Sequence, residues 1–132
     1  MEKICFNGRD ELLVLDCSKI ACFKADDDYS VVYYTNGLVV NVPIGLSKIC
    51  EALAHVPRSL TCDFMRVGRS FMVNHAYLYQ ISVPRQRLAL YDGQKILVLN
   101  VAKEALKRYK EAMAERFRVD SPKNPDVSPQ KP

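Results

Sequence analysis

The stretch Phe64-Met65-Arg66-Val67-Gly68-Arg69-Ser70-Phe71-Met72-Val73-Asn74 sets two runs of apolar, β-favouring residues on either side of Gly68-Arg69-Ser70. Runs of this length, bounded by turn residues, predict a strand, a tight connection and a second strand over 64–73. Phe64, Val67, Phe71 and Val73 are the expected core positions, and Arg69 is the residue that the turn lifts outward.

The same alternation of short strands and turns extends in both directions. Upstream, Lys3 to Phe6 and Glu11 to Leu15 flank Asn7-Gly8-Arg9-Asp10, which predicts a hairpin whose Asn-Gly pair takes positive φ. Ile20 to Ala25 and Tyr29 to Thr35 follow, separated by the exposed loop Asp26-Asp27-Asp28. A second Asn-Gly pair, Asn36-Gly37, turns into Leu38 to Val42, and Pro43 ends that strand because it has no N–H for the ladder. Leu46, Ile49, Cys50 and Leu53 then fall at i, i+3, i+4 and i+7, the stripe of a short helix ending near Pro57. Downstream of the central stretch, Leu78 to Val83, Leu88 to Tyr91 and Lys95 to Leu99 read as strands joined by Pro84-Arg85-Gln86-Arg87 and Asp92-Gly93. A longer amphipathic helix closes the pattern, with Ala102, Leu106, Tyr109, Met113 and Phe117 on one face and Asn100 as its N-cap. The expected fold class is mainly β, with antiparallel sheets, one short internal helix and a C-terminal amphipathic helix.

At 132 residues the chain has room for one domain with a real core, and its 48% hydrophobic and 26% charged residues are those of an ordinary globular protein. The reading places a domain over 1–118 and a flexible, Pro-rich tail over 119–132, where only Val127 offers apolar surface after Val119. No apolar run approaches the roughly 18 residues that a membrane span needs, and Met1-Glu2-Lys3-Ile4 does not open a signal peptide. The expectation is a cytoplasmic protein with no membrane partner.

Five cysteines form no CxxC pair, and neither histidine stands at ligand spacing from one, so no metal or other cofactor is expected. The apolar neighbours of Cys5, Cys22 and Cys50 favour buried, reduced thiols. No nucleophile, base and orienting group occur together, and no glycine-rich phosphate loop is present, so the chain is not expected to be an enzyme.

Charge is distributed unevenly. Residues 1–57 carry 5 basic and 8 acidic side chains, whereas residues 58–118 carry 12 basic and 5 acidic. A net excess of seven positive charges in the second half suits an anionic partner such as nucleic acid, although a basic stretch also serves as a solvated face.

Residues 64–74 resemble the central motif of the LytTR-type DNA-binding domain, F-x-R-x-H-R-S-(apolar)-x-V-N. The resemblance extends from about Lys3 to about Tyr109. It covers an Ile-x-x-Phe strand before a Tyr-x-Val-x-Tyr strand, the short helix after Pro43, the Asp-Gly hairpin and the Lys-rich last helix. It implies an elongated fold of small antiparallel sheets that binds double-stranded promoter DNA through loops entering successive major grooves, with a homodimer on repeated sites as a further implication. A stand-alone sequence-specific transcriptional regulator is the leading reading. A protein-interaction or dimerisation module on the same scaffold is the alternative, supported by the triple aspartate and by missing arginines.

Within the motif, Arg69 is the expected DNA contact, either bidentate to the O6 and N7 edge of guanine or to a phosphate; its bland alternative is an ordinary exposed arginine. Arg66 either pairs with a carboxylate, the favoured reading, or extends to phosphate. Ser70 donates to phosphate or satisfies local backbone, and Asn74 fixes a turn. Resemblance adds Tyr29 and Ser30 from one loop and Asn100 from the start of the last helix, with Lys103 the nearest cation there. Three departures stand out: Gly68 replaces the motif histidine, Leu99-Asn100-Val101 replaces a common Ser-Arg-Arg, and Asp26-Asp27-Asp28 puts negative charge where relatives approach phosphate. Fewer cations and more carboxylates both lower DNA affinity and its dependence on salt.

Overall fold

All the expected strands form, and they assemble into three antiparallel sheets with two helices, a mainly β fold. The structure is a computed structural model that describes residues 3–56 and 64–117. The proposed tail and Cys62 lie outside the described residues.

A hairpin of β1 (Lys3–Asn7) and β2 (Leu12–Asp16) leads into a five-stranded sheet. That sheet holds β3 (Ile20–Asp26), β4 (Tyr29–Tyr34), β5 (Val39–Val42), β6 (Phe64–Val67) and β7 (Phe71–Asn74), in the order β5-β4-β3-β7-β6. Helix α1 (Leu46–Ala54) connects β5 towards β6. A third sheet of β8 (Leu78–Ser82), β9 (Arg87–Tyr91) and β10 (Ile96–Asn100) follows, and α2 (Lys103–Arg116) comes last.

The five-stranded sheet is the middle layer, because side chains alternate across its strands and both of its faces are covered. Cys22, Phe71 and Val73 point into one core with Leu88, Leu90 and Leu99 of the third sheet and with Leu106, Tyr109 and Met113 of α2. Phe23, Val32 and Met72 point into a second core with Ile4 and Leu15 of the hairpin and Leu46 and Ile49 of α1. Strand β7 is accordingly buried at all four positions. Burial in the first core pushes the Cys22 thiol up to about 12, so it remains neutral and behaves as a small apolar side chain.

Asn74 ties the end of β7 to the start of β3 and the turn before it. Its amide donates to the carbonyls of Ile20 at 3.0 Å and Cys17 at 3.5 Å, while its side-chain oxygen accepts from Ala76 N–H at 3.0 Å. The last bond caps a single 3-10 turn, His75–Tyr77. Asp16 caps the matching turn at Cys17–Lys19 in the same way, and the Tyr77 hydroxyl donates to the Ser18 carbonyl between them.

Several local expectations change. The first hairpin forms, but Gly8 does not take positive φ: four residues turn instead, closed by Gly8 N–H on the Glu11 carbonyl at 2.7 Å. The second Asn-Gly turn has Gly37 at φ +98°, as expected. Asp26 pairs with Tyr29, so the acidic segment is a tight two-residue turn with Asp27 at φ +57°, a conformation that aspartate tolerates better than most residues. Cys5 is exposed and Cys50 half-buried, because odd positions of β1 face away from the core, whereas Cys17 and Cys22 are buried. At the C-terminal end Ala102, not Asn100, is the N-cap of α2, and Phe117 is exposed at its C-cap.

Replacing Asn74 with Ala removes three hydrogen bonds and strands two carbonyls in a buried setting. The expected loss is about 2 kcal/mol, or roughly 10 °C in melting temperature for a domain of this size. Thermal unfolding followed by circular dichroism measures it. A variant melting within a degree or two of the parent would contradict the role given to Asn74.

Candidate nucleic-acid interface

The topology of the middle sheet gathers two of the proposed segments at one end. The last residues of β3 and β6 and the first of β4 and β7 share that end, so the β3–β4 and β6–β7 turns lie side by side. The Ala25 N–H donates to the Ser70 carbonyl at 2.8 Å, which carries the ladder into the second turn.

Gly68 and Arg66 shape the β6–β7 turn. Gly68 has φ +66°, and a Cβ there would stand 3.1 Å from the Cβ of Ala105 on α2. The turn therefore packs directly on the last helix, which leaves a larger residue little room and explains physically why glycine occupies the motif's histidine position. The Arg66 guanidinium donates to the Arg69 carbonyl at 2.9 Å and to Cys50 Sγ at 3.5 Å. Its partners are a backbone carbonyl and a thiol rather than the expected carboxylate, so it braces the turn that carries Arg69. Arg69 and Ser70 are both exposed.

The third segment reaches the same region through α2. Asn100 lies opposite Arg87 in the β9–β10 ladder, and both are exposed. The Val101 N–H donates to the Gln86 carbonyl at 3.0 Å, tying the β8–β9 turn, which contains Arg85, to the strand–helix junction. Lys103 is the first residue of α2 and exposed, and Ala105, two residues on, touches Gly68. Because Ala102 is the cap and makes no side-chain bond, the Asn100 amide is not consumed by capping, and the helix N-terminus keeps its partial positive charge.

Of the residues singled out in the sequence, Arg69, Ser70, Tyr29, Asn100 and Lys103 are thus solvent-exposed. Tyr29 is 52% exposed where β4 begins, beside the acidic turn. Ser30 is different. It is fully buried, and its hydroxyl donates to the Ile44 carbonyl at 2.6 Å, fixing the chain between β5 and α1. In a strand that alternates faces, exposure of Tyr29 dictates burial of its neighbour. Asn74 fixes a turn as expected, through the contacts given above.

Two features were not singled out from the sequence. A wide groove of about 950 Å³ opens between Phe6 and Leu13 of the hairpin, Asp27 and Asp28, and Lys48 of α1, with Arg66 on its wall. On the far side of the third sheet, Tyr79, Tyr91, Ile96 and Val98 form an exposed apolar face in which the two tyrosine rings meet edge to face at 5.5 Å. Ile96-Leu97-Val98 is apolar throughout, so the sequence does not show which of these residues face outward, and strand pairing was needed to join Ile96 and Val98 to Tyr79 and Tyr91.

Among the described residues no helix is long and apolar enough to cross a membrane, and no cluster of three or more His, Cys, Asp or Glu side chains is arranged to hold a metal ion.

Comparison with known proteins agrees with this architecture. No curated protein matches the chain significantly. A solved structure, the LytTr DNA-binding domain of a putative methyl-accepting/DNA response regulator from Bacillus cereus, is similar with a TM-score of 0.56 at 18% sequence identity. The match covers 86% of this chain and 97% of that one. At that identity the likeness concerns the fold. The family profile of the LytTr DNA-binding domain matches residues 10–113, from the first hairpin into the last turns of α2. With the central motif, the three-sheet fold and a family match over most of its length in agreement, the chain belongs to the LytTr DNA-binding domain family.

Proposed function

We infer that this domain recognises specific sequences in double-stranded promoter DNA and regulates transcription, with Arg69 as the principal base or phosphate contact. The observation that carries this reading is the convergence of the Arg69 turn, the Tyr29 turn and the Asn100–Lys103 junction, joined through the Ser70–Ala25 bond and the Gly68–Ala105 contact. The solved neighbour belongs to a protein described as a DNA response regulator, which agrees with a role in transcription. Arg69 supplies two parallel N–H donors suited to the guanine edge or to phosphate. Asn100 offers an amide for adenine, Lys103 and the N-terminus of α2 attract phosphate, and Ser70 and Tyr29 carry hydroxyls for the backbone. A homodimer on repeated sites is part of this proposal.

The acidic turn modulates the interface. Three carboxylates beside the Arg69 turn oppose a phosphate backbone, so the domain trades affinity for discrimination between sites that relieve the repulsion and sites that do not. A second reading, a protein-docking module, is favoured by one observation: the exposed Tyr79, Tyr91, Ile96 and Val98 face, which lies away from the converging turns and has the composition of an interaction surface.

Arg69→Ala is expected to cost about 1–3 kcal/mol in binding a selected duplex, with relaxed preference at one base position if the contact is to a base and uniform weakening if it is to phosphate. Fluorescence anisotropy at fixed salt distinguishes these, and an unchanged dissociation constant would remove Arg69 from the interface.

Replacing Asp26, Asp27 and Asp28 together with Ser is expected to tighten duplex binding and to steepen its salt dependence, with a folding cost of about 1 kcal/mol at most, from Ser at the positive φ of Asp27 in an otherwise exposed turn. Anisotropy titrations over a range of salt concentrations measure both quantities. Weaker binding by the triple variant would show that the aspartates contribute to recognition instead of opposing it.

A further inference from the structure

At the end of the first core opposite the Arg69 turn, where β3 begins and β4 ends, a cavity of about 110 Å³ opens between the middle sheet and the third sheet. Its origin lies in β3. Ile20 pairs with Tyr34 and Cys22 with Tyr33, so Ala21 is an extra residue in that strand, and the bulge turns it into the same core as Cys22. A single methyl group thus stands where Tyr33 of β4, Tyr77 of the 3-10 turn, Leu90 of β9 and Leu97 of β10 converge, and the space it leaves unfilled is the cavity.

Two turns form the mouth. Gly37 lies in the β4–β5 turn at φ +98°, and a Cβ there would stand 3.2 Å from Lys95 Nζ. Glycine therefore leaves the room in which the lysine side chain crosses from the third sheet towards the middle one. Asp92 shares the mouth, but its carboxylate accepts from the N–H groups of Gln94 at 2.8 Å and Lys95 at 2.7 Å and is taken up by its own turn. The exposed Lys95 ammonium is the cation at the entrance.

Size decides the class of ligand. An apolar void on the order of 100–150 Å³ accepts one aromatic ring, whereas pockets for larger ligands begin near about 300 Å³. The Tyr77 hydroxyl already donates to the Ser18 carbonyl, so Tyr77 offers the cavity its ring. Burial raises the pKa of Tyr33, which stays neutral beside a bound anion. Aromatic walls meet a ring edge to face or offset, and a cation at the mouth favours an anionic substituent.

We propose that the cavity between Ala21 and Lys95 binds a small aromatic carboxylate, with the ring between the two sheets and the carboxylate on the Lys95 ammonium. The site lies at the opposite end of both sheets from the residues given to DNA, and it does not depend on that function.

The test titrates the full 15N-labelled chain with benzoate, and separately with uncharged benzyl alcohol, at constant ionic strength. Saturable benzoate shifts centred on residue 21, residues 33–37 and residues 90–97, with a dissociation constant on the order of 1 mM or tighter, are expected. Lys95→Gln, at an exposed position, is expected to weaken benzoate about three- to fivefold and to leave benzyl alcohol unchanged. Ala21→Leu fills the space and is expected to abolish binding of both probes, with its melting curve as the folding control. Benzoate that does not saturate in that range, or that moves residues elsewhere, overturns the site. A folded Ala21→Leu variant that still binds benzoate overturns the cavity as its location. Should that variant fail to fold, the shift map and Lys95→Gln still decide, and an equal effect of Lys95→Gln on both probes, or none on either, overturns the carboxylate assignment.

Discussion

Burial of β7 on both faces is the constraint on which the remaining structure depends. Phe71 and Val73 belong to one core and Met72 to the other, so the strand cannot slip by one residue without exchanging every side chain between layers. Asn74 then fixes the far end of the strand on the carbonyls of residues 17 and 20. With that end anchored, the near end has one position, and the β6–β7 turn is held where Arg66 and Gly68 can shape it. The exposed Arg69 side chain is thus the terminus of a rigid chain of contacts that begins in the core. For the DNA contact proposed for Arg69, such a support would reduce the ordering cost of binding.

The proposed interface draws on segments far apart in sequence, and each junction between them rests on an ordinary contact. A backbone hydrogen bond joins β3 to the Arg69 turn. A close approach of Gly68 to Ala105 joins that turn to α2. Another backbone bond, Val101 to Gln86, joins the start of α2 to the third sheet. Glycine in place of the motif histidine belongs to this arrangement, because the turn sits tightly on α2. The positive charge concentrated in residues 58–118 is in this way drawn from both the turn and the helix.

Much of the fold was legible because alternation and turn chemistry are local. Strand boundaries agreed to within a residue or two, since Asn36-Gly37, Asp92-Gly93 and Pro43 punctuate the chain where the sheets end. Local signals failed where a tertiary contact decided the outcome. Asn100 has the chemistry of a cap, yet β10 runs through it and the helix begins at Lys103, because Asn100 pairs with Arg87 in the sheet. Ser30 looked available beside the acidic turn, but its strand faces inward and Ile44 takes its hydroxyl. Arg66 lacked a visible acceptor in sequence, because the one it finds is the backbone of its own turn.

The account stands on the claim that one end of the molecule, built from three separated segments, contacts the duplex. Amide chemical-shift mapping of the uniformly 15N-labelled chain, titrated with a duplex selected from a random library, tests it most directly. The account predicts that perturbed resonances cluster in residues 26–30, 66–70 and 100–108 and spare β1, β2 and the outer face of the third sheet. Perturbations confined to the surface around Tyr79, Tyr91, Ile96 and Val98 would contradict it.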